Sequence, residues 1–322
     1  MPKISVIVPI YGVEKYIERC TKSLMEQTLD NMEFVFVSDA TKDNSINILK
    51  ETIRRYPERA TQVKIIEKEK NEGCSYARKT GVEQATGEYI GFCDGDDWVD
   101  RTMYEKMYKL AKTNDCDFVK CGHYSTDGHD ILSTNTVNIS NKPAKMEMLS
   151  QLLRCKGINS IWDTISKREL FIKNDIHFTP HSMLEDFFLT TQLIEYSSSY
   201  SIIQEPLYYY FKNNNSICNA SLQENYIKRA KDAQANIRWI LKFIERRYGK
   251  KFANDEVILK YIPRKLMIPI MTNMENYRIW NTLFPGNTIK LLISPHTSYK
   301  YKLQYLLVEF RLYKAYKSIM SK

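Results

Sequence analysis

The sequence predicts an α/β fold in which a mostly parallel sheet is flanked by helices and followed by a mainly helical C-terminal extension. Over the first 120 residues, short β-branched runs alternate with stretches that carry apolar residues at helical spacing. This alternation is typical of a parallel sheet with helices on both faces. The alternation of strand and helix patterns ends near Gly122, where a polar stretch begins. Apolar residues at helical spacing dominate from residue 223 onward. We therefore predict a catalytic or binding domain of residues 1–215, in halves 1–121 and 122–215, and a helical, basic region of residues 216–322.

The predicted sheet has five strands, each recognised by a short apolar or β-branched run. They cover residues 4–9, 33–37, 62–66, 88–93 and 117–120. Amphipathic stretches between them predict helices over residues 14–27, 44–56, 75–85 and 100–112. We expect the crossovers between parallel strands to be right-handed.

The middle and C-terminal parts of the chain predict fewer strands. Asp127 and Gly128 predict a hairpin turn, and residues 201–211 read as extended. Helices are predicted over residues 146–154, 167–174 and 184–196. Further helices are predicted over residues 223–248, 255–276 and 298–320, the second of them interrupted by Pro263 and Pro269.

Bulk properties exclude several classes of protein. No run of 18 apolar residues occurs, and no cleavage site follows the N-terminal apolar run, so we expect neither a membrane-spanning helix nor a signal peptide. Seven cysteines without a CxxC spacing favour free buried thiols in a reducing cytosol over a disulfide framework or a zinc site. No GxGxxG follows the first strand and no GxxxxGK[ST] occurs, which disfavours a dinucleotide oxidoreductase and a P-loop enzyme.

The net charge of +9 is concentrated in the C-terminal third. Residues 223–322 carry 20 basic and 7 acidic side chains, whereas the rest of the chain is slightly acidic. Such asymmetry suggests an anionic surface or ligand for this region. Its last predicted helix, 298–320, has an apolar stripe with basic flanks, which fits either contact with a membrane surface or packing in a core or dimer interface. We expect no nucleic-acid partner, because the region has no recognisable binding motif.

The strongest candidate site follows the fourth predicted strand. Ligands in a doubly wound sheet bind beyond the carboxyl ends of the strands. Asp94, Asp96 and Asp97 place three carboxylates within four residues at that position. Their mutual repulsion is relieved by a hard divalent cation, which can also bridge to phosphate oxygens. The alternative is an acidic turn that caps the helix beginning near Asp100.

Three further features accompany this turn. Asp39 ends the second strand, where it can accept hydrogen bonds from a nucleobase or simply form a turn. The loop of residues 71–75 enters a helix and offers backbone N–H groups to an anion, with Arg78 one turn later. Arg78 can contact phosphate, hold the acidic turn or form a surface ion pair. Glu185 and Asp186 precede an apolar helical run. The alternative is that they are simply acidic residues in a first helical turn, where the helix dipole favours negative charge.

Together and in this order, these features resemble family 2 glycosyltransferases of the GT-A fold, bacterial polysaccharide type. The segments that carry the resemblance are VIVPIYGVEKYI (6–17), FVFVSDATKDNS (34–45), NEGCSYARKTGVEQATGEYIGFCDGDDWVD (71–100) and EDFFLT (185–190). IWDT (161–164) and KRELF (167–171) also resemble a segment that precedes the acid pair in such enzymes. The resemblance covers residues 3–215.

The resemblance implies roles for individual residues. It implies a nucleobase, usually uracil, against Pro9, Tyr11 and Asp39, with the ribose at Asp94. Asp96 would bind Mn²⁺ or Mg²⁺ that bridges the diphosphate, and Asp186 would be the general base of an inverting transfer. The complete set implied for donor binding is Pro9, Tyr11, Glu14, Asp39, Arg78, Asp94 and Gly95.

The implied activity is transfer of a hexosyl or N-acetylhexosaminyl group from a UDP-sugar to a glycan or lipid-linked glycan acceptor in cell-surface polysaccharide synthesis. The implied location is the cytoplasm, including the inner face of the cell membrane. The chain departs from the family pattern at Ser38, Ala40 and Lys79, and these departures motivate an alternative, a catalytically inactive relative that serves as an assembly partner. A sugar-nucleotide pyrophosphorylase is disfavoured, because the loop after the first strand is neither glycine-rich nor basic.

Overall fold

The computed structural model describes residues 1–212, 223–249, 257–271, 273–294, 297 and 299–310. The chain divides into two compact units. The first unit comprises Met1–Leu152, Lys156–Pro180 and Leu189–Asn214, and the second comprises Leu153–Cys155, His181–Phe188 and Asn215–Lys322. The domain division predicted at residue 215 stays a proposal.

One mixed sheet contains all nine strands of the described residues, in the order β3-β2-β1-β4-β8-β6-β9-β5, with β7 paired to β6. The strands are Ile4–Ile10 (β1), Glu33–Ser38 (β2), Val63–Glu67 (β3), Tyr89–Phe92 (β4), Trp98–Val99 (β5), Phe118–Thr126 (β6), Ile131–Asn135 (β7), Thr164–Lys167 (β8) and Tyr200–Phe211 (β9). The predicted fold class is confirmed. The parallel pairs β2–β3, β1–β2 and β1–β4 form one half of the sheet.

The helices of the described residues flank this sheet or form the second unit. They are Ile17–Met25 (α1), Ser45–Arg54 (α2), Pro57–Ala60 (α3), Cys74–Gln84 (α4), Met103–Asn114 (α5), Lys145–Leu153 (α6), Arg168–Lys173 (α7), Glu185–Tyr196 (α8), Gln223–Tyr248 (α9), Val257–Met267 (α10), Met274–Thr282 (α11), Thr288–Ile293 (α12) and Tyr299–Glu309 (α13).

Strands β1, β2 and β4 of the parallel half are buried on both faces. All six residues of β2 and six of the seven in β1 are buried, which explains why these strands read as continuous apolar runs. Helix α1 turns Ile17, Cys20 and Leu24 toward the core at helical spacing. Helix α4 approaches β1 so closely that a Cβ on Gly81 would lie 2.3 Å from Ile7 Cγ2.

The other half of the sheet was predicted less completely. Strand β8 pairs antiparallel with both β4 and β6, and β6 pairs in parallel with β9. The predicted strand of residues 117–120 continues to Thr126, and the strands β5 and β8 were not predicted. Both are too short to carry a periodic pattern, and their partners lie far away in the chain. The predicted hairpin is confirmed, since Asp127 Oδ1 accepts hydrogen bonds from the backbone N–H groups of His129 and Asp130.

The second unit has its own core. Ala230, Tyr261, Trp280, Leu291 and Tyr305 pack together from five helices, α9 to α13. Pro263 lies inside α10, whereas Pro269 falls in a short 3₁₀ turn, Ile268–Ile270, so only the second proline interrupts the predicted helix. None of the described helices combines the length and apolar character needed to cross a bilayer. Cys218 and the C-terminal part of the predicted helix 298–320 lie outside the described residues.

Candidate active site

The loops that follow β1 and β2 are bound to each other by hydrogen bonds. The Gly12 N–H donates to Thr41 Oγ1 at 2.9 Å, and the Glu14 N–H donates to Asp43 Oδ2 at 2.9 Å. In the opposite direction, the Asn44 N–H donates to Glu14 Oε2 at 2.9 Å. Glu14 therefore binds the start of α2 in this structure, and its predicted place beside a nucleobase stays a prediction.

Pro9 and Tyr11 form the exit of β1. Pro9 pairs with Val37 of β2, and the Tyr11 side chain, two residues later, is 56% exposed. An exposed aromatic ring beside the carboxyl end of a central strand offers a flat surface on which a planar ligand can stack.

Asp39 is buried and extensively hydrogen-bonded. Lys68 Nζ donates to its Oδ1 at 2.6 Å, the Gly73 N–H donates to Oδ2 at 2.7 Å, and the Glu72 N–H donates at 3.0 Å to Oδ1. Burial by itself lowers the pKa of Lys68, but Asp39 and Glu72 outweigh it and raise that pKa above its ordinary value. Asp39 thus fixes the loop that leads into α4, and any nucleobase hydrogen bond would be an additional one.

The four residues 94–97, here called the carboxylate turn, distribute their three carboxylates among three environments. Arg78, which is 2% exposed, donates from Nη2 to Asp94 Oδ1 at 2.7 Å. Asp97 is buried and accepts hydrogen bonds from the Tyr208 hydroxyl and the Phe211 N–H, both at 2.7 Å. Arg78 therefore holds the acidic turn, one of the roles that the sequence allowed, and Asp97 attaches the turn to β9.

Asp96 differs from both neighbours. Within the described residues its half-buried carboxylate has no ion pair or hydrogen bond to another side chain. Burial and the negative charge of Asp94 raise the pKa of Asp96 to about 6. An ionised Asp96 beside Asp94 therefore costs free energy that a bound cation would offset.

The two carboxylates fit a divalent cation that keeps positions for other ligands. No group of three or more His, Cys, Asp or Glu side chains with metal-binding geometry occurs in the described part of the chain. Mg²⁺ binds through one or two carboxylates plus substrate phosphates and water, so a pair such as Asp94 and Asp96 suits it or Mn²⁺. The donor set therefore agrees with an ion completed by a phosphorylated ligand.

Gly95 brings the carboxylate turn against the end of β1. A Cβ at this position would lie 3.1 Å from the Pro9 carbonyl oxygen and 3.2 Å from Val13 Cγ2. A side chain here would push the turn away from β1. The exposed Tyr11 and the carboxylate turn therefore lie at the same edge of the sheet.

Asp186 lies in the first turn of α8 and is half-buried. The residue before this helix, Leu184, has a φ of 67°, a left-handed conformation that costs a non-glycine residue about 1–2 kcal/mol. Local backbone strain of this kind is often retained at functional sites. The role of Asp186 as a base stays a prediction.

Two residues at the site were missed by sequence reasoning. Tyr208 donates its O–H to Asp97 and its oxygen accepts from the Asp94 N–H at 3.1 Å. Arg19 of α1 donates to the Asp96 carbonyl oxygen at 3.0 Å and lies over the Trp98 ring at 3.7 Å. The run of three tyrosines, 208–210, was a signal for the first, whereas nothing local links residue 19 to residue 96.

Comparison with known proteins agrees with this geometry. The family described as glycosyl transferase family 2 matches residues 5–175. The uncharacterized glycosyltransferase EpsJ of Bacillus subtilis is 32% identical over 279 residues, which cover 85% of this chain and 78% of that protein.

Solved structures with similar folds extend the comparison. TarS of S. aureus, residues 1–349, has a TM-score of 0.71 and 17% identity, covering 98% of this chain and 91% of that one. TarS has also been solved with UDP-GlcNAc, with a TM-score of 0.62. The mannosyltransferase PcManGT of Pyrobaculum calidifontis, solved with GDP-Man and Mn²⁺, has a TM-score of 0.58, 17% identity, and coverage of 100% of this chain and 88% of that one. At these identities the structural likeness shows a shared GT-A fold, and the family match, which spans more than half of the chain, establishes that this protein belongs to glycosyltransferase family 2.

Proposed function

We propose that this protein is an inverting, metal-dependent glycosyltransferase that moves a sugar from a UDP-sugar to an acceptor hydroxyl. The observation that carries the proposal is the carboxylate turn, in which Asp94 is paired with Arg78 while the Asp96 carboxylate forms no ion pair within the described residues. A divalent cation bound at this turn would offset the negative charge of the carboxylates, and it would have coordination positions left for the oxygens of a diphosphate. Neighbouring folds solved with UDP-GlcNAc and with GDP-Man and Mn²⁺ support the same class of donor.

We assign Pro9, Tyr11 and Asp39 to binding the nucleobase of the nucleotide-sugar donor. The exposed Tyr11 ring offers a stacking surface, and Asp39 adds a buried acceptor beside the loop of residues 68–73. A uracil N–H donating to a carboxylate forms a charge-assisted hydrogen bond. The proposal of UDP over other nucleotides rests on the family resemblance, in which uracil is usual, and on the neighbouring fold solved with UDP-GlcNAc.

In the transfer step, Asp96 would hold Mn²⁺ or Mg²⁺, which would neutralise the negative charge that develops on a leaving diphosphate, and Asp94 would contact the ribose of the donor. Arg78 keeps Asp94 fixed at 2.7 Å, so the carboxylate is oriented before the donor arrives. Such preorganisation avoids reorganisation during the reaction.

Asp186 is proposed as the general base. It would take the proton of the acceptor hydroxyl as that oxygen attacks the anomeric carbon from the side opposite the diphosphate, which inverts the anomeric centre. A base of this kind typically contributes about 10²–10⁴-fold to the rate.

The proposed acceptor is a glycan or lipid-linked glycan of a cell-surface polysaccharide. The basic C-terminal region, with 20 basic and 7 acidic side chains in residues 223–322, is proposed to contact the inner membrane surface where lipid-linked acceptors reside. Sedimentation with vesicles of anionic lipid at low salt tests this contact, and equal recovery with neutral vesicles would rule it out.

The decisive experiment measures donor hydrolysis and donor binding for UDP-, GDP-, CMP- and dTDP-sugars, each with Mn²⁺, Mg²⁺ or EDTA. We expect turnover of one UDP-sugar that EDTA abolishes. Turnover that persists in EDTA would contradict the metal assignment. A folded protein that neither binds nor hydrolyses any donor would favour the alternative, an inactive assembly partner.

A further inference from the structure

A group of buried charges lies outside the proposed donor site, in the half of the sheet that contains β6 and β8. We call Lys120, His123, Ser160 and Asp163 the buried ionic cluster. The Lys120 side chain is completely buried and that of Asp163 is 1% exposed, and the two form an ion pair. Buried ion pairs seldom add stability over apolar residues of the same volume, so their presence asks for another explanation.

The cluster satisfies the hydrogen-bonding capacity of its lysine. Besides Asp163, Lys120 Nζ donates to Ser160 Oγ at 3.0 Å and to the Ser160 carbonyl oxygen at 3.2 Å. Burial alone raises the pKa of Asp163, but Lys120 and His123 outweigh it and hold the pKa below its ordinary value. Asp163 is therefore kept as a carboxylate inside the sheet, and Lys120 cancels its charge.

That carboxylate also faces His123. His123 Nδ1 lies 3.6 Å from Asp163 Oδ2, and the imidazole packs edge-on against Trp162 at 4.7 Å between ring centroids. At this distance, which is longer than a hydrogen bond, the charge of the carboxylate favours the tautomer that carries the proton on Nδ1, and Nε2 is then a hydrogen-bond acceptor. The His123 side chain is 19% exposed, so part of it lies at the protein surface.

A short series of contacts joins His123 to the carboxylate turn. His123 pairs with Tyr208 across β6 and β9, and Trp162 stacks on Tyr208 at 4.4 Å. The Tyr208 oxygen contacts Asp97 at 2.7 Å and accepts from the Asp94 N–H at 3.1 Å. The oriented imidazole is thus adjacent to the tyrosine that supports the proposed metal site, and all of these residues belong to the first unit.

We propose that His123 binds the sugar acceptor, with an acceptor hydroxyl donating a hydrogen bond to Nε2, and that Asp163 is the positioning residue that orients the ring. Because Lys120 cancels the charge of Asp163, the subsite suits an uncharged sugar unit and not a uronic acid or a phosphate. Lys120, Ser160 and Asp163 would satisfy one another without a histidine, so a purely structural cluster leaves the orientation of His123 unexplained. The inference rests on the proposed function and names the acceptor side of the same site.

The test uses the full chain saturated with UDP and Mg²⁺, which is diamagnetic and does not broaden NMR signals, and follows the side-chain nitrogens of His123 by NMR at pH 8. The probes are p-nitrophenyl glucoside, galactoside and N-acetylglucosaminide, with the glucuronide as the charged counterpart. We expect an Nδ1–H tautomer, and a shift of the Nε2 resonance with at least one neutral glycoside but not with the glucuronide. An Nε2–H tautomer, or a His123 resonance that no neutral glycoside moves, would overturn the proposal.

Two variants separate positioning from architecture. H123Q should raise the KM for the responding glycoside on the order of tenfold, the loss of one hydrogen bond, and by more than it raises the donor KM. D163N should shift the tautomer of His123 in a protein that still binds UDP. If D163N does not fold, H123Q alone decides, because equal rises in the acceptor and donor KM would contradict the inference. His129, exposed at the hairpin turn, provides the matched control H129Q, which should change neither value.

UDP binding keeps the two hypotheses apart. If UDP with Mg²⁺ binds but His123 responds to no neutral glycoside, the acceptor inference fails and the proposed function stands. If UDP binds with neither Mg²⁺ nor Mn²⁺, the proposed function fails, and the inference that rests on it fails as well.

Discussion

The carboxylate turn and the buried ionic cluster both concentrate charge in the first unit, but they treat it in opposite ways. In the cluster, Lys120 donates to three oxygen atoms and its ion pair with Asp163 is almost completely buried. In the turn, the Asp96 carboxylate forms no ion pair with any described residue, and burial and Asp94 raise its pKa to about 6 although the Arg19 charge acts in the opposite direction.

The difference shows how to distinguish functional charge from architectural charge. When a buried charge is paired inside the protein, the attraction to its partner offsets part of the free energy of desolvation. Removing the partner leaves that free energy uncompensated and lowers stability. A charge without an internal partner keeps its cost until a ligand binds, so its removal should affect ligand binding and activity while leaving stability almost unchanged. The following variants test that distinction.

The largest effect is expected at Asp186, the proposed general base. D186N should keep donor binding and lower sugar transfer about 10²–10⁴-fold, because the amide cannot take the acceptor proton. Transfer rate and donor affinity are measured in parallel with thermal unfolding. D175N, at an 88% exposed carboxylate, is the control. Transfer by D186N at the wild-type rate would refute the assignment of the base.

Breaking the buried ionic cluster should cost the most stability. K120M leaves Asp163 as an uncompensated buried charge, so we expect the free energy of unfolding to fall by about 3–5 kcal/mol. Urea denaturation measures it. K112M is the control, because it removes an ion pair to Glu88 from a lysine that is 52% exposed. It should lower the free energy of unfolding by less than about 1 kcal/mol. Equal losses in the two variants would show that the cluster is not a special feature of the fold.

At the carboxylate turn the balance should be reversed. D96N should lower metal-dependent donor hydrolysis roughly 10²–10³-fold, the size of effect seen when one group that stabilises developing charge is removed. Its free energy of unfolding should equal or slightly exceed that of the wild type, because one half-buried carboxylate is removed. The exposed Asp30 supplies the control D30N. A large loss of stability in D96N would mean that Asp96 is architectural after all.

The smallest effect concerns the backbone beside Asp39. Ala40 has a φ of 55°, where a residue other than glycine is strained by about 1–2 kcal/mol, and replacing alanine by glycine costs about 0.4–1 kcal/mol through the unfolded chain. A40G should therefore stabilise the protein by up to about 1.6 kcal/mol. A60G, at the end of helix α3 where φ is ordinary, should destabilise it. Destabilisation by both variants would show that the strain at Ala40 is already relieved by its surroundings.

The parallel half of the sheet was predictable because its signals are local. β1, β2 and β4 are buried on both faces and read as apolar runs, and the candidate carboxylates Asp39 and Asp94 follow such runs directly. The other half was harder to predict because its pairing partners are distant in the chain: Ile165 of β8 pairs with Gly91 of β4. A four-residue strand has no period to detect, and its place depends on which neighbours it meets.

The sequence by itself determined the family, the α/β class and the list of candidate acids, because these depend on residue types at fixed short spacings. Only the tertiary structure decided which contacts each acid makes: Asp94 pairs with Arg78, Asp97 accepts from Tyr208 and Phe211, and Asp96 forms no ion pair within the described residues. It also revealed that Lys120 and Asp163, 43 residues apart, neutralise each other beside His123. The physical reason is that charge is balanced in space, by side chains that folding brings within about 4 Å of one another, a distance at which the interaction depends strongly on burial.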